Sequence, residues 1–370
     1  MEQKGVLCIA QAFFLCKIYL TYNLQFKEYF GKKQKGRDER MKRKPRILVA
    51  GSFVMDQIAS TEVFPGEGET VLGRSFQKAP GGKGANQAVQ AARLGAEVTM
   101  FGKLGRDANG EEMLETCRKA GIHTEDVLFD PVLASGCSVI ILEEKPGEST
   151  KNRIIVISGS NMSITKTEAE SLRDKIRNYD LLMLQLEIPM EINEYLAEMA
   201  FENGVPVMLN SAPSAPLSDS LLSHLAFISP NEHEAEDLTG IPIRREGDHV
   251  NLEDARAAAE ALREKGVQNV LITLGSGGAV LLGPDGFVHS PCVEGITAVD
   301  PTAAGDSFVG AFCVGTCCGW TNQELLQFAN HTAALTVSAM GAMPSLPSLE
   351  KVERFMAQKN ILLPDISVLK

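Results

Sequence analysis

Asp300-Pro-Thr-Ala-Ala-Gly-Asp306-Ser-Phe-Val-Gly310 is the segment of this chain best equipped for chemistry. It sets three small residues, Ala303, Ala304 and Gly305, ahead of a carboxylate and of a helical period built on Phe308, Ala311, Phe312 and Val314. Small side chains at a helix start let unpaired backbone N–H groups and the positive end of the helix dipole approach an anion. A transferring phosphoryl group suits such a place. Asp306 stands there too, and a carboxylate in a first helical turn can take the proton of an attacking hydroxyl, a role worth roughly 10²- to 10⁴-fold in rate. The competing reading is a plain helix N-cap, the commonest task of Asp at such a position.

Elements of regular structure must carry this segment. Residues 296–299 read as a strand running into it. Residues 47–50, 97–102, 181–186, 205–209 and 269–274 are further short apolar runs, several ending at Gly. Between them lie helical patterns: Ala85, Ala88, Val89 and Ala92, stopped by Gly95, and an Ala-rich stretch over 254–265. This rhythm predicts an α/β fold, a mainly parallel sheet between two layers of helices. Residues 53–80 and 135–158 break the rhythm with strands and turns. In the second, Ser138 to Leu142 and Arg153 to Ile157 flank a Glu-Glu-Lys-Pro-Gly turn, a hairpin signature. Strands that leave an α/β core this way predict a small β-sheet lid. Ligands of open parallel sheets bind beyond the strands' carboxyl ends, where the polar constellations fall.

Composition narrows the partners. With 44% hydrophobic and 22% charged residues, the 370-residue chain has the makeup of an ordinary globular enzyme. Its net charge of −11 is uneven: residues 1–44 hold 11 Lys/Arg against 4 Asp/Glu, so the remainder carries about −18. An acidic body repels polyanions, so nucleic acid is not an expected partner. No apolar run is long enough to cross a bilayer, so no membrane is expected for the main body. Eight cysteines form no C-x-x-C pair, which suits a reduced, cytoplasmic chain. Residues 1–44 are expected to be disordered or to reflect a mis-assigned start, with Met41 the true one, and residues 361–370 to form a tail.

Two common nucleotide motifs are absent. No G-x-x-x-x-G-K-[ST] occurs, and no G-x-G-x-x-G follows a strand. Asn231 and Glu234 lie in an N-x-x-E arrangement after a strand. They read either as oxygen donors near a hydrated Mg²⁺ or as a capping Asn with an exposed Glu. Thr273-Leu274-Gly275-Ser276-Gly277-Gly278 is a Gly-rich turn after a strand, a weak signal alone. The six histidines are scattered and read as structural or solvent-facing. Asn161-Met-Ser163 and Asn330-His-Thr332 match a glycosylation pattern that a cytoplasmic chain would not use.

Ala-Ala-Gly-Asp306-Ser-Phe-x-Gly resembles the C-terminal signature of the ribokinase/PfkB sugar-kinase family. Pro80-Gly81-Gly82-Lys83-Gly84-Ala85-Asn86-Gln87-Ala88 resembles its N-terminal signature, about 220 residues earlier. Gly51-Ser-Phe-Val-Met-Asp56, Gln185-Leu-Glu187, Asn210-Ser-Ala-Pro213, the Asn231 element and the Thr273 turn also resemble family segments, so the likeness covers roughly residues 45–350. It implies a kinase domain over 45–360 that phosphorylates D-ribose at O5 with ATP. Related acceptors (2-deoxyribose, fructose, a nucleoside, pseudouridine) or a catalytically silent sugar-binding protein are the alternatives.

By the same resemblance Asp306 is the base, and Gly305 and its neighbours form the anion hole. Val54, Asp56, Gly82, Lys83, Gly84, Ala85, Asn86 and Glu187 line the sugar site. Asn231, Glu234, Thr273 to Gly278 and Asn330 attend MgATP. Asp300, Thr302, Thr336, Ala339, Gly341 and Ser345 surround a monovalent cation, K⁺. Three residues depart from the family pattern: Val54 where a polar residue is common, Pro301 in the cation loop, and Ser211 for a usual Pro. Pairing two lids would cover their edges, so a homodimer is expected.

Overall fold

The computed structural model describes residues 42–370 apart from 146, 148, 149 and 248. The expectations for residues 1–44 therefore lie outside the described residues, but for the last three. Pro45–Lys370 is one compact unit. Its strands begin with β1 (Arg46–Ala50), β2 (Val54–Thr61), β3 (Gly73–Gly81), β4 (Glu97–Gly105), β5 (Val127–Asp130), β6 (Cys137–Glu143) and β7 (Lys151–Ile157). They continue with β8 (Leu181–Gln185), β9 (Val207–Asn210), β10 (Phe227–Ser229), β11 (Arg245–Glu246), β12 (His249–Val250), β13 (Asn269–Thr273), β14 (Ala279–Gly283) and β15 (Gly286–Ser290). The helices begin with α1 (Lys83–Arg93), α2 (Ala108–Lys119), α3 (Lys166–Ala169), α4 (Met190–Glu202), α5 (Asp219–His224) and α6 (Glu232–Thr239). They end with α7 (Leu252–Glu264), α8 (Ala304–Cys318), α9 (Asn322–Val337), α10 (Ala342–Ser345) and α11 (Leu349–Gln358).

The main sheet runs β15-β14-β13-β10-β9-β8-β1-β4-β5, parallel except for the antiparallel pairs β13/β14 and β14/β15. Its strands are apolar on both sides, so alternate residues enter opposite cores. Ile47, Val49 and Met183 pack with α1, α2, α8, α9 and α11 through Ala85, Met113, Phe312, Phe328 and Met356. Leu48, Ala50 and Leu184 pack with α4, α5 and α7 through Leu196, Leu221 and Ala258. Burying each large side chain is worth about 1.5–3 kcal/mol. The expected three layers are present.

The predicted lid is present as well, a four-stranded sheet in the order β3-β2-β6-β7. The β2/β3 and β6/β7 pairs are antiparallel, and β2 joins β6 in parallel. Every residue of β7 is exposed, Ile154 to Ile157 included.

One expected strand fails. Residues 296–299 are not a strand. The main-chain N–H groups of Val299 and Asp300 both donate to the Val337 carbonyl, at 2.7 and 3.1 Å. The chain leaves the sheet at Ser290, and β-favouring side chains alone do not make a strand without an edge to pair with. The run expected at 205–209 starts two residues late, because the Val205 N–H closes the end of α4 on the Ala200 carbonyl and Pro206 has no N–H. The last ten residues turn back onto the body. Leu369 is buried, and its carbonyl lies 2.3 Å from where a Cβ on Gly95 would stand, so Gly95 both ends α1 and leaves it room.

Candidate active site

After β1 the chain goes to β4 and β5 on one side, then crosses to β8, β9 and β10 on the other. The crevice of the sheet therefore lies at the carboxyl ends of β1 and β8. Ser52 follows the first and Glu187 the second. The Ser52 hydroxyl donates to the Glu187 carboxylate, which also accepts the main-chain N–H of Lys83 at 3.0 Å. The Gly84 N–H donates to Ser52 Oγ at 3.3 Å. Two N–H groups of the first turn of α1 are satisfied in this way. Gly84 permits the approach: a Cβ there would stand 2.4 Å from the Ser52 nitrogen. Gly82, at φ +93, is held against the root of the lid, where a Cβ would meet the Val54 nitrogen at 2.7 Å. Ala85 points into the core, and its N–H donates to the Ser52 carbonyl. Gly84 and Ala85 thus serve packing.

The lid brings Asp56 on β2, accepting from Ser138 Oγ at 2.5 Å on the paired strand β6. Burial pushes its carboxyl above the usual carboxylate range, and the negative charges of Glu187 and Asp300 add to the effect. Val54 is buried at the base of the same strand. For Lys83, burial disfavours the ammonium, but the carboxylates of Asp306, Glu187 and Glu234 outweigh it, so its pKa is held above the ordinary lysine value. It is a half-buried cation facing three carboxylates.

Asp306 occupies the first turn of α8. The N-cap position is Ala303, at a left-handed φ of +61 that costs a non-glycine residue roughly 1–3 kcal/mol. No side chain caps this helix end, so Asp306 is not an N-cap. Its Oδ2 instead accepts from Asn86 Nδ2 at 2.8 Å, and its Oδ1 from Gln87 Nε2 at 3.0 Å. Nothing lies within 4 Å of where a Gly305 Cβ would be. The Ala304 and Ser307 N–H groups close on the Pro301 and Ala303 carbonyls, while the space beside Gly305 is open. A cavity of about 210 Å³ opens here, lined by Lys83, Asn231, Glu234, Thr273, Gly305 and Asp306 among others.

Asn231 and Glu234 form a reciprocal capping box at the start of α6, with three hydrogen bonds of 2.9 Å. The Asn does cap, but Glu234 is buried, not exposed, and burial raises its pKa. Thr273 closes β13 beside Asn231. Leu274 is buried in the core, so only its backbone faces the turn, while Gly275, Ser276, Gly277 and Gly278 carry the chain round to β14. Arg245 spans these two elements, bonding Glu232, the Leu274 carbonyl at 2.6 Å and Ser276 Oγ at 3.0 Å. Asn330 is buried, and its Nδ2 ties α9 to Ser290 and Pro291.

Asp300 accepts from the N–H groups of Thr302 at 2.9 Å and Gly341 at 2.8 Å. Burial raises its pKa, but these bonds outweigh it and leave the carboxyl below its ordinary value. The hydroxyls of Thr336 and Ser345 are turned to Ser307 and Thr332 and to Ala342, and the Ala339 N–H closes on the Thr336 carbonyl. Gln87, Gln185, Asn210 and Ser138 were not singled out from the sequence. All but Ser138 lie inside segments that carry the family likeness, yet spacing does not say which way a side chain faces.

A family model described as pfkB family carbohydrate kinase matches residues 44–349. The ribokinase of Schizosaccharomyces pombe is 38% identical over 322 residues, 85% of this chain and 99% of that protein. The deoxyribokinase of Salmonella typhi is 33% identical over 312 residues, 84% of this chain and 98% of its own length. The structure of Arabidopsis thaliana ribokinase complexed with ribose and ATP has a TM-score of 0.77 to this one at 32% identity, covering 85% of this chain and 99% of that one. With its paired signatures, its three-layer body and its uncapped α8, this chain belongs to the pfkB family of carbohydrate kinases.

Proposed function

We propose that this enzyme transfers the γ-phosphoryl group of ATP to the primary 5-hydroxyl of D-ribose, giving D-ribose 5-phosphate. The observation that carries the reading is the placement of the Asp306 carboxylate within the first turn of an uncapped helix, in one cavity with Lys83, Asn231 and Glu234. Likeness to ribokinases, one of them bound to ribose and ATP, supports the substrates. Asp306 accepts the hydroxyl proton as O5 attacks phosphorus. The N–H groups at the start of α8 and the Lys83 ammonium face the negative charge that spreads over the phosphoryl oxygens. Asp56 and Glu187 accept from the sugar's other hydroxyls, so the reaction rests on alignment and fixed charge. An acceptor of the 2-deoxyribose type is the second reading, favoured by the deoxyribokinase relative.

Asn231 and Glu234 offer oxygen atoms that would hold Mg²⁺ largely through water, and Mg²⁺ there would neutralise charge on the triphosphate. Asp300, Thr302, Thr336, Ala339, Gly341 and Ser345 are the residues whose oxygens would hold K⁺, which would supply positive charge in the loop that Asp300 ties to Gly341. Equal activity in potassium, sodium and cation-free buffers would remove K⁺ from the account. The exposed apolar run Ile154 to Ile157 of β7 supports a homodimer formed through the lids. A monomeric sedimentation coefficient at micromolar concentration would refute the dimer.

The deciding experiment measures ADP release with MgATP and D-ribose, 2-deoxyribose, fructose or adenosine, with Asp306→Asn as control. Fastest turnover on ribose, lost in the variant, is the expected result. Faster turnover on another acceptor moves the specificity, and none on any acceptor makes the chain a silent sugar binder.

A further inference from the structure

The two oxygens of Asp306 are held differently. Oδ2 accepts from Asn86, whose own Oδ1 is buried without a partner among the described residues. A buried amide oxygen left so is a place for a ligand's hydroxyl. Oδ1 accepts from Gln87, which is wholly buried. The Gln87 Nε2 also reaches Asn210 Oδ1 at 3.2 Å, and its Oε1 accepts from Gln185 Nε2 at 2.7 Å. Two acceptors, Asp306 Oδ1 and Asn210 Oδ1, fix the direction of the amide. With its oxygen turned to Gln185, its NH₂ group faces Asp306, and a flip would set oxygen against carboxylate. Asn210 is fixed in turn, since its Nδ2 donates to the Ser229 carbonyl at 2.8 Å. The ends of β8 and β9, joined through α1, thus aim one neutral donor at one oxygen of the base.

We infer that Gln87 is a positioning residue for phosphoryl transfer: its buried amide holds Oδ1 of Asp306 and leaves Oδ2, on the Asn86 side, as the oxygen that takes the sugar's proton. This rests on the reading of Asp306 as the base. A donor bonded to one oxygen of a carboxylate at this place sets the direction in which the other oxygen presents its lone pairs.

The test compares Gln87→Leu, Gln87→Glu and Gln185→Met with the wild type and Asp306→Asn, in steady-state turnover of D-ribose with MgATP. In Gln87→Leu, kcat falls about 10- to 100-fold while both KM values stay within about threefold. In Gln185→Met, which loses the bond behind the amide and not the donor itself, the fall is smaller. Gln87→Glu has nearly the same shape but sets a second carboxylate against Oδ1, so the acid limb of the kcat/KM profile moves to higher pH. Lys83 on α1, which faces Asp306, and the two other carboxylates that act on Lys83, Glu187 beyond β8 and Glu234 on α6, are the same in every variant. If Gln87→Leu does not fold, the pH profile of Gln87→Glu decides. Lower melting temperatures with kcat and the acid limb unchanged would make Gln87 a packing residue and overturn the inference, while loss of turnover in Asp306→Asn kept the base. A wild type silent on every acceptor would sink both.

Discussion

The main-chain N–H of Lys83 donates to Oε2 of Glu187 across 3.0 Å, although 104 positions separate the two residues. Gly82, at the N-cap of α1, has no side chain to cap with, and the Glu187 carboxylate takes that part from across the crevice. The start of α1 and the exit of β8 are pinned together at the switch point of the sheet.

Glu187→Gln keeps an acceptor for the Lys83 N–H and removes the charge. The KM for ribose should rise about 10-fold or more, with the KM for MgATP nearly unchanged, since hydrogen bonds to charged groups are worth about 1.5–3 kcal/mol. Steady-state kinetics with each substrate varied in turn checks this. Unchanged KM for ribose would reduce Glu187 to a cap.

Asp306→Asn should lower kcat by about 10²- to 10⁴-fold. Its amide can still accept from Gln87 or Asn86, so the melting temperature should move by no more than a few degrees. A large loss of stability with modest loss of rate would mean that Asp306 serves the fold and not the chemistry.

Gly305→Ala and Gly82→Ala should behave oppositely. A Cβ on Gly305 meets nothing within 4 Å and sits in a helix, so Ala there should keep or raise stability, by up to about 1 kcal/mol. The methyl group would nevertheless stand where the proposed mechanism puts the phosphoryl oxygens, and kcat with MgATP should fall at least tenfold. A Cβ on Gly82 would strike the lid root at a left-handed φ, costing roughly 1–3 kcal/mol in urea unfolding. Full activity in Gly305→Ala would place the γ-phosphoryl group elsewhere.

Asp107 caps α2 and accepts from Gly110 N at 2.8 Å, Ser135 N at 2.7 Å and Ser135 Oγ at 2.9 Å, tying that helix to the loop leading into the lid. Burial raises its pKa, but these bonds outweigh it, so the folded value lies below the unfolded one, near 3.8. The stability it confers is therefore complete above the unfolded pKa and lost as pH falls through the folded one. Asp107→Asn should be less stable than wild type in urea at neutral pH, and the gap should narrow below about pH 4. A gap independent of pH would show that the cap works without its charge.

Much of the fold is legible in local sequence. The apolar runs before Gly51 and Gly275 carry the period and stop signals of buried strands, and Ala85, Ala88 and Ala92 carry those of a helix pressed on the sheet. The hairpin at 137–157 announces itself by its turn. Residues 296–299 show the limit. Ile and Val favour a strand, but a strand needs a neighbour, and the neighbour here is a helix end.

By itself the sequence determined which chemistry was on offer: a carboxylate after three small residues, glycines where backbones must meet, and polar groups after strands. These are local properties, set by side-chain size, backbone freedom and helix-end electrostatics. Only the tertiary structure decided how the groups face one another. It took Asp306 away from capping and gave it to Asn86 and Gln87, buried Glu234, turned Asn330 onto Ser290, and brought Gln185 and Asn210 to the back of the base. The direction of a buried amide is fixed by partners some 20 to 220 positions away, and such partners meet only when the strand order of the sheet sets their exits side by side.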